Sequence, residues 1–166
     1  MDFANRFLKA GDMLRFERSE QAYTHWGIYD GQGYVIHVTG DAANDMFWEF
    51  LQTFQAATHA INAFVKREEL SFVAAGSKFY VDNYMDTERT PYVQGTIVER
   101  AISRVGKAWV YNLLQNNCEH FATNMRYGRP ISRQAARGTE LIQASGAGFG
   151  AGAAIVAASF IASRYS

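Results

Sequence analysis

Three residues of this 166-residue chain have the types that thiol chemistry needs: Cys118, the single cysteine, and two histidines far upstream, His25 and His37. Cys118 stands in Asn116-Asn117-Cys118-Glu119-His120-Phe121, where a loop gives way to a helix. Asn is a favoured N-cap, and Phe121, Ala122 and Met125 continue an i, i+3, i+4, i+7 stripe. A cysteine just past the cap sits among unpaired backbone N–H groups at the positive end of the helix dipole, which predicts thiolate in preference to thiol. The same stripe turns the sulfur toward the body of the domain, where free cysteines also serve as buried filler. From the residue alone, nucleophile and spacer both stand.

The histidines lie on a hairpin signal. Thr24-His25-Trp26-Gly27-Ile28-Tyr29 and Tyr34-Val35-Ile36-His37-Val38-Thr39 are β-rich and flank Asp30-Gly31-Gln32-Gly33. An odd-numbered loop that pairs Tyr29 with Gly33 sets His25 directly opposite His37, with Cβ atoms about 4.5–5.5 Å apart on one face. A shift of one residue would send the rings to opposite faces. Paired, one imidazole would take the sulfur proton and the other would hold the first in position and tautomer. Each histidine taken singly also reads as a satisfied polar group in a half-buried sheet. His59 reads as a surface residue, and His120, two positions past the cysteine, as a structural hydrogen-bond partner.

The elements that must position these groups fit one domain with a substantial core. Sixteen Lys and Arg balance sixteen Asp and Glu, so no overall field gathers nucleic acid. One cysteine excludes an intrachain disulfide, and no closely spaced ligand set predicts a metal or other cofactor. Met1–Arg6 lacks a secretory leader pattern, which predicts a reducing, cytosol-facing domain. A first strand over about Asp12–Glu17, further strands around Ile61–Val65 and Leu70–Val73, and a helix over about Thr96–Gly106 predict an α+β fold, an antiparallel sheet with flanking helices. Phe47, Phe50, Leu51 and Phe54 fall at helical spacing, as a core-facing helix or as an apolar lip dipping into a membrane.

From Leu141 to Ser163 no residue is charged, a length sufficient for the roughly 20 residues of a bilayer span. Gly and Ala dominate it, and Gly146/Gly150 and Gly148/Gly152 form overlapping GxxxG pairs suited to helix–helix contact. Arg129, Arg133 and Arg137 precede it at four-residue intervals, predicting contact with anionic headgroups and a cytoplasmic orientation. The chain thus divides into a catalytic domain, 1–138, and a C-terminal apolar helix as membrane anchor, 139–166. A flexible tail or a buried Gly/Ala helix is the alternative.

Gly11-Asp12-Met13-Leu14, His25-Trp26-Gly27-Ile28-Tyr29, Gly33-Tyr34-Val35-Ile36-His37, Asn117-Cys118-Glu119-His120-Phe121 and Arg126-Tyr127-Gly128, in this order, carry a further signal. Weaker likeness runs through Lys66–Leu70 and Val81–Asn83. On these pieces the chain resembles the phospholipase A and acyltransferase family, also called HRAS-like suppressors, relatives of lecithin:retinol acyltransferase. The resemblance implies a permuted papain-like (NlpC-like) fold and a metal-independent reaction. In it Cys118 attacks an ester of a glycerophospholipid such as phosphatidylcholine or phosphatidylethanolamine, forms an acyl-thioester and releases lysophospholipid. His25 would be general base and then acid, His37 would orient it, and Tyr23 would lie near the oxyanion. Water as acceptor gives phospholipase A1/A2 activity, the phosphatidylethanolamine amine gives N-acylation, and a lysophospholipid hydroxyl gives O-acylation. The implied location is the cytoplasmic face of an intracellular membrane. The chain departs from the family in Arg18–Ala22, which is longer and lacks a proline, and in Asp41–Ala63. Rival readings are a papain-like cysteine peptidase or amidase, and a non-catalytic membrane adaptor.

Overall fold

Met13, Leu14 and Phe16 supply the apolar run of β1 (Met13–Phe16), and β-branched and aromatic residues on either side of the Asp30–Gly33 turn build β2 (His25–Tyr29) and β3 (Tyr34–Thr39). They are followed by β4 (Ile61–Glu69), α1 (Leu70–Ala74), β5 (Phe79–Val81), α2 (Gln94–Ile102), β6 (Ala108–Tyr111), α3 (Cys118–Tyr127) and α4 (Arg133–Ala144). The computed structural model describes residues 8–17, 24–40, 60–112 and 114–144. Tyr23, His59, the Phe47–Phe54 stripe and the tail beyond Ala144 lie outside them. The strands form one antiparallel sheet in the order β5-β1-β2-β3-β4-β6, so the chain is α+β as expected.

The central strands bury both faces, which is why their burial does not alternate. Met13, Trp26, Ile28, Ile36 and Val38 pack with Phe121, Ala122 and Met125 of α3. On the other face Leu14, Phe16 and Val35 meet Leu70, Val73 and Ala74 of α1. Each fully buried Ile or Phe contributes about 1.5–3 kcal/mol, so these layers fix α3 against β2 and β3.

The hairpin register differs from the expected one by two residues. Tyr29 pairs with Val35, Ile28 with Ile36, and Gly27 with His37. The cause is Asp30: its Oδ1 accepts the N–H groups of Gln32 (2.7 Å) and Tyr34 (3.1 Å), and its own N–H donates to Tyr34 O, so the turn closes at Asp30 and Tyr34. Gly31 and Gly33, at φ 88° and 94°, supply the left-handed positions. A shift of two equals the side-chain period of a strand, so His25 and His37 keep a common face as diagonal neighbours.

Two other expectations change. Leu70–Val73 is helical rather than a strand: Leu70, Val73 and Ala74 follow the i, i+3, i+4 spacing of a buried helix face, and so short an apolar run does not separate the two periods. The helix expected over Thr96–Gly106 is α2, ending at Ile102; turns lead on to Gly106 (φ 78°), whose N–H donates to Val65 O. Helix α4 runs across position 138. Among the described residues no helix is long and apolar enough to cross a membrane.

Candidate active site

Asn117 caps α3 by a reciprocal pair of bonds. Its Oδ1 accepts the His120 N–H at 3.0 Å, and its own N–H donates to His120 Nδ1 at 3.1 Å. His120 is therefore a structural partner, and burial holds its imidazole below the ordinary range despite the nearby Glu119 charge. The cap makes Cys118 the first residue of the helix, 1% exposed.

The sulfur sits in a fork of the sheet. Tyr29 exchanges backbone bonds with Gly11 and Asp12 beside β1, so by alternation the backbone groups of Trp26 and Thr24 point toward β3. Yet β2–β3 pairing ends at Gly27↔His37, while β1 follows β2 to His25 and β4 follows β3 to Thr39. Cys118 fills that opening, its thiol directed to Thr24 O at 3.7 Å, with the Trp26 N–H also against the sulfur and Tyr111 Oη at 4.0 Å. The nucleophile candidate thus touches both neighbours of His25 along the strand.

Burial overrides the helix end. Desolvation pushes the Cys118 thiol up to about 12, although bonds from the Trp26 and Cys118 backbone and from Tyr111 pull it down; the Glu119 charge raises it further. The expected thiolate is corrected accordingly: at neutral pH the isolated group is a thiol, because removal from water outweighs the dipole of α3.

Both histidines are buried, 1% and 3% exposed. His25 Nε2 and His37 Nδ1 are 2.8 Å apart with the rings edge-on, and His37 Nε2 lies 2.8 Å from Glu68 Oε2 on β4. Gly27, across from His37, makes this approach possible: a Cβ there would stand 2.4 Å from Val35 Cγ1 and 3.1 Å from His37 Cβ. His37's hydrogen bond, against the opposing effect of burial, holds the Glu68 carboxyl below its usual range.

Two supports come from the chain after α3. Gln134 clamps Thr24, accepting its N–H on Oε1 (3.0 Å) and donating Nε2–H to its carbonyl (3.2 Å). Glu119, fully buried beside the cysteine, accepts from Ser132 Oγ (2.6 Å), Tyr84 Oη (3.1 Å) and the Gln134 N–H (3.2 Å). Burial and then the Glu119 charge push the Tyr84 hydroxyl well above its ordinary range, so it remains a donor. Sequence reasoning missed Glu68, Glu119 and Gln134. Glu68 sits in the charged run Lys66-Arg67-Glu68-Glu69 and looks solvated, and Gln134 lies between arginines. The one available signal was Glu119, a carboxylate inside an otherwise core-facing helical turn.

The profile of the lecithin retinol acyltransferase family matches residues 6–131, spanning the sheet, the fork and α3. The chain belongs to this family. Among its relatives, phospholipase A and acyltransferase 3 of Mus musculus is 36% identical over 143 residues, 86% of this chain and 85% of the relative. Phospholipase A and acyltransferase 2 of Homo sapiens is 38% identical over 126 residues, covering 76% and 75%, and the human protein numbered 4 is 33% identical over 129 residues, covering 76% and 74%. Within this family member, Arg129, Arg133 and Arg137 are all exposed. Arg133 is engaged with its own domain: it bonds Asp82 Oδ2 at 2.9 Å, lies 3.8 Å from Glu119, and covers the Tyr84 ring.

Proposed function

We propose that this chain is a phospholipase A and acyltransferase with a permuted papain-like fold, and that it works through an acyl-thioester on Cys118. The observation that carries this reading is the sulfur in the fork beside Thr24, next in sequence to a His25 whose Nε2 is bonded to His37. With Nε2 so engaged, Nδ1 is the His25 nitrogen that takes the sulfur proton. As it does so, sulfur adds to an ester carbonyl of a glycerophospholipid, and the oxygen becomes an oxyanion held by a backbone N–H of α3 and by Tyr23. The ester C–O bond then breaks, His25 returns the proton to the departing glycerol oxygen, and lysophospholipid leaves. Water, the phosphatidylethanolamine amine or a lysophospholipid hydroxyl adds to the thioester, gives its proton to His25, and expels sulfur, which regains a proton. A resting thiol suits this scheme, since the nucleophile forms only as the base acts.

The names of the relatives favour a phospholipid ester over a peptide bond. The uncharged run Leu141–Ser163 supports anchoring of residues 139–166 in an intracellular membrane, cytoplasmic side inward to the domain, with Arg129 and Arg137 toward headgroups. Incubating the full chain with phosphatidylcholine vesicles and mapping Cys118 by mass spectrometry tests the chemistry. An acyl adduct labile to hydroxylamine is expected, absent in Cys118→Ala and reduced about 10²–10⁴-fold in rate in His25→Ala. With phosphatidylcholine alone the products should be lysophospholipid and fatty acid, and N-acyl product should appear with phosphatidylethanolamine; full turnover by Cys118→Ala refutes the reading. Deleting 141–166 should release the protein from liposomes, and unchanged co-sedimentation would refute the anchor.

A further inference from the structure

An ionised carboxylate has no proton to give, so the 2.8 Å bond between Glu68 Oε2 and His37 Nε2 runs in one direction: His37 donates. Neutral His37 then has its proton on Nε2 and a lone pair on Nδ1. The second 2.8 Å bond must be donated into that lone pair, by His25 Nε2–H. A neutral His25 protonated on Nε2 has its own lone pair on Nδ1, the form that can take a proton from sulfur. We propose that Glu68 is a positioning residue of this active site, setting the tautomer of His25 through His37 and offsetting the positive charge when His25 becomes imidazolium. The proposal rests on the reading of Cys118 as nucleophile and His25 as its base.

The placement supports this role. Glu68 and Lys66 share a face of β4; Lys66 is across from His37 and Glu68 across from Val35, so Glu68 reaches His37 diagonally from the neighbouring strand. The Glu68 side chain is 25% exposed against 4% for His37, so a partly solvated carboxylate ends a line of buried rings. His37's hydrogen bond, with the Lys66 charge beside it, keeps that carboxyl ionised against the effect of burial. The direction of the line is thus set at its wet end, where a charge is cheapest to keep. Without a carboxylate there, His37 could hold its proton on either nitrogen, and half of those states would leave His25 with Nδ1–H, unable to accept.

Glu68→Gln tests it, because the amide keeps the shape but can either accept or donate. In full-length protein assayed with phosphatidylcholine vesicles, kcat should fall about 10–100-fold, as for other partners that fix a histidine tautomer. KM should stay within about twofold, since no substrate contact is lost. Glu68→Asp should recover part of the loss, and Glu69→Gln, an exposed neighbour, should behave as wild type. The separate readout is ¹⁵N NMR of histidine-labelled protein without substrate: His25 and His37 should both be Nε2–H in wild type, and His37 should become a mixture in Glu68→Gln. Wild-type kcat in Glu68→Gln, or Nδ1–H at His37 in wild type, overturns the proposal. The tautomer spectrum involves no thioester, so failure of the acyl-enzyme chemistry is seen separately; should the Gln variant not fold, the wild-type spectrum decides.

Discussion

Gly27→Ala adds one methyl group at the point where the two histidine strands come closest. The new Cβ would stand 2.4 Å from Val35 Cγ1, 3.1 Å from His37 Cβ and 3.1 Å from Ile36 O. Comfortable carbon contacts lie at about 3.5–4.0 Å, so the shortfall at Val35 exceeds 1 Å. Val35 is fully buried and β-branched, and Ile36 O is backbone, so neither yields by a rotamer change. Relief comes from parting β2 and β3. Overpacking of this kind costs about 1–3 kcal/mol, against roughly 0.5–1 kcal/mol gained by replacing an interior glycine. The net loss of about 1–2 kcal/mol should lower Tm by about 2–8 °C. A parting of about 0.7 Å takes the 2.8 Å His25–His37 bond to the limit of a hydrogen bond. Misplacement near 1 Å costs up to about 10²-fold in rate, so kcat should fall roughly 10–100-fold. Thermal unfolding and fatty-acid release from phosphatidylcholine measure the two effects. Gly95→Ala in α2, where a Cβ meets nothing within 4 Å, should instead gain up to about 1 kcal/mol with kcat unchanged. If Gly27→Ala melts at or above wild type with full kcat, the crowding argument is wrong.

Because burial raises the Cys118 thiol to about 12, thiolate absorbance at 240 nm should be absent from the resting protein at neutral pH and still minor at about pH 10; a neutral-pH thiolate signal refutes this. Asp86 is pushed up by burial but held below its usual range by hydrogen bonds from Arg126 and Tyr127. A depressed carboxyl stabilises the fold above its unfolded pKa and ceases to do so as pH falls through the folded one. The Tm gap between wild type and Asp86→Asn should therefore be full at pH 7 and close below about pH 4, and a constant gap under acid titration would count against it. Gln134→Ala removes both bonds to Thr24, at about 1 kcal/mol each, and should lower Tm and kcat together; wild-type values for both would show the clamp to be idle.

What could be read from the chain was what neighbours in sequence decide. The Asn117 cap and the apolar stripe of α3 are local, and so are the two β-rich runs with their Asp-Gly turn. The register error is instructive, because the Asp30 side chain moved the three-residue loop one position along the chain, to 31–33, which no strand pattern encodes, yet the shared face survived through the period of two. Leu70–Val73 was ambiguous for want of length. The state of Cys118 could not be read from its helix position, since its desolvation comes from the core it shares with residues outside α3 such as Trp26, Ile36 and Tyr111. Glu68 was hidden for the same reason: its partner is 31 positions away, and only the β3–β4 pairing joins them.

The buried Glu119 carboxylate has a consequence for where the smallest working unit can end. The family match stops at residue 131, but three of the groups that meet this carboxylate follow at once: Ser132, Arg133 and Gln134. A chain cut after Ile131 would keep every residue of the proposed chemistry and lose the solvation of a charge sealed next to Cys118, leaving Tyr84 to satisfy it. Unpaired buried charges cost about 3–5 kcal/mol, a large share of the stability of a domain this size. Homology would then mark out a fragment with a complete catalytic inventory and no means of holding it together, and the first turn of α4 belongs to the enzyme rather than to whatever lies downstream.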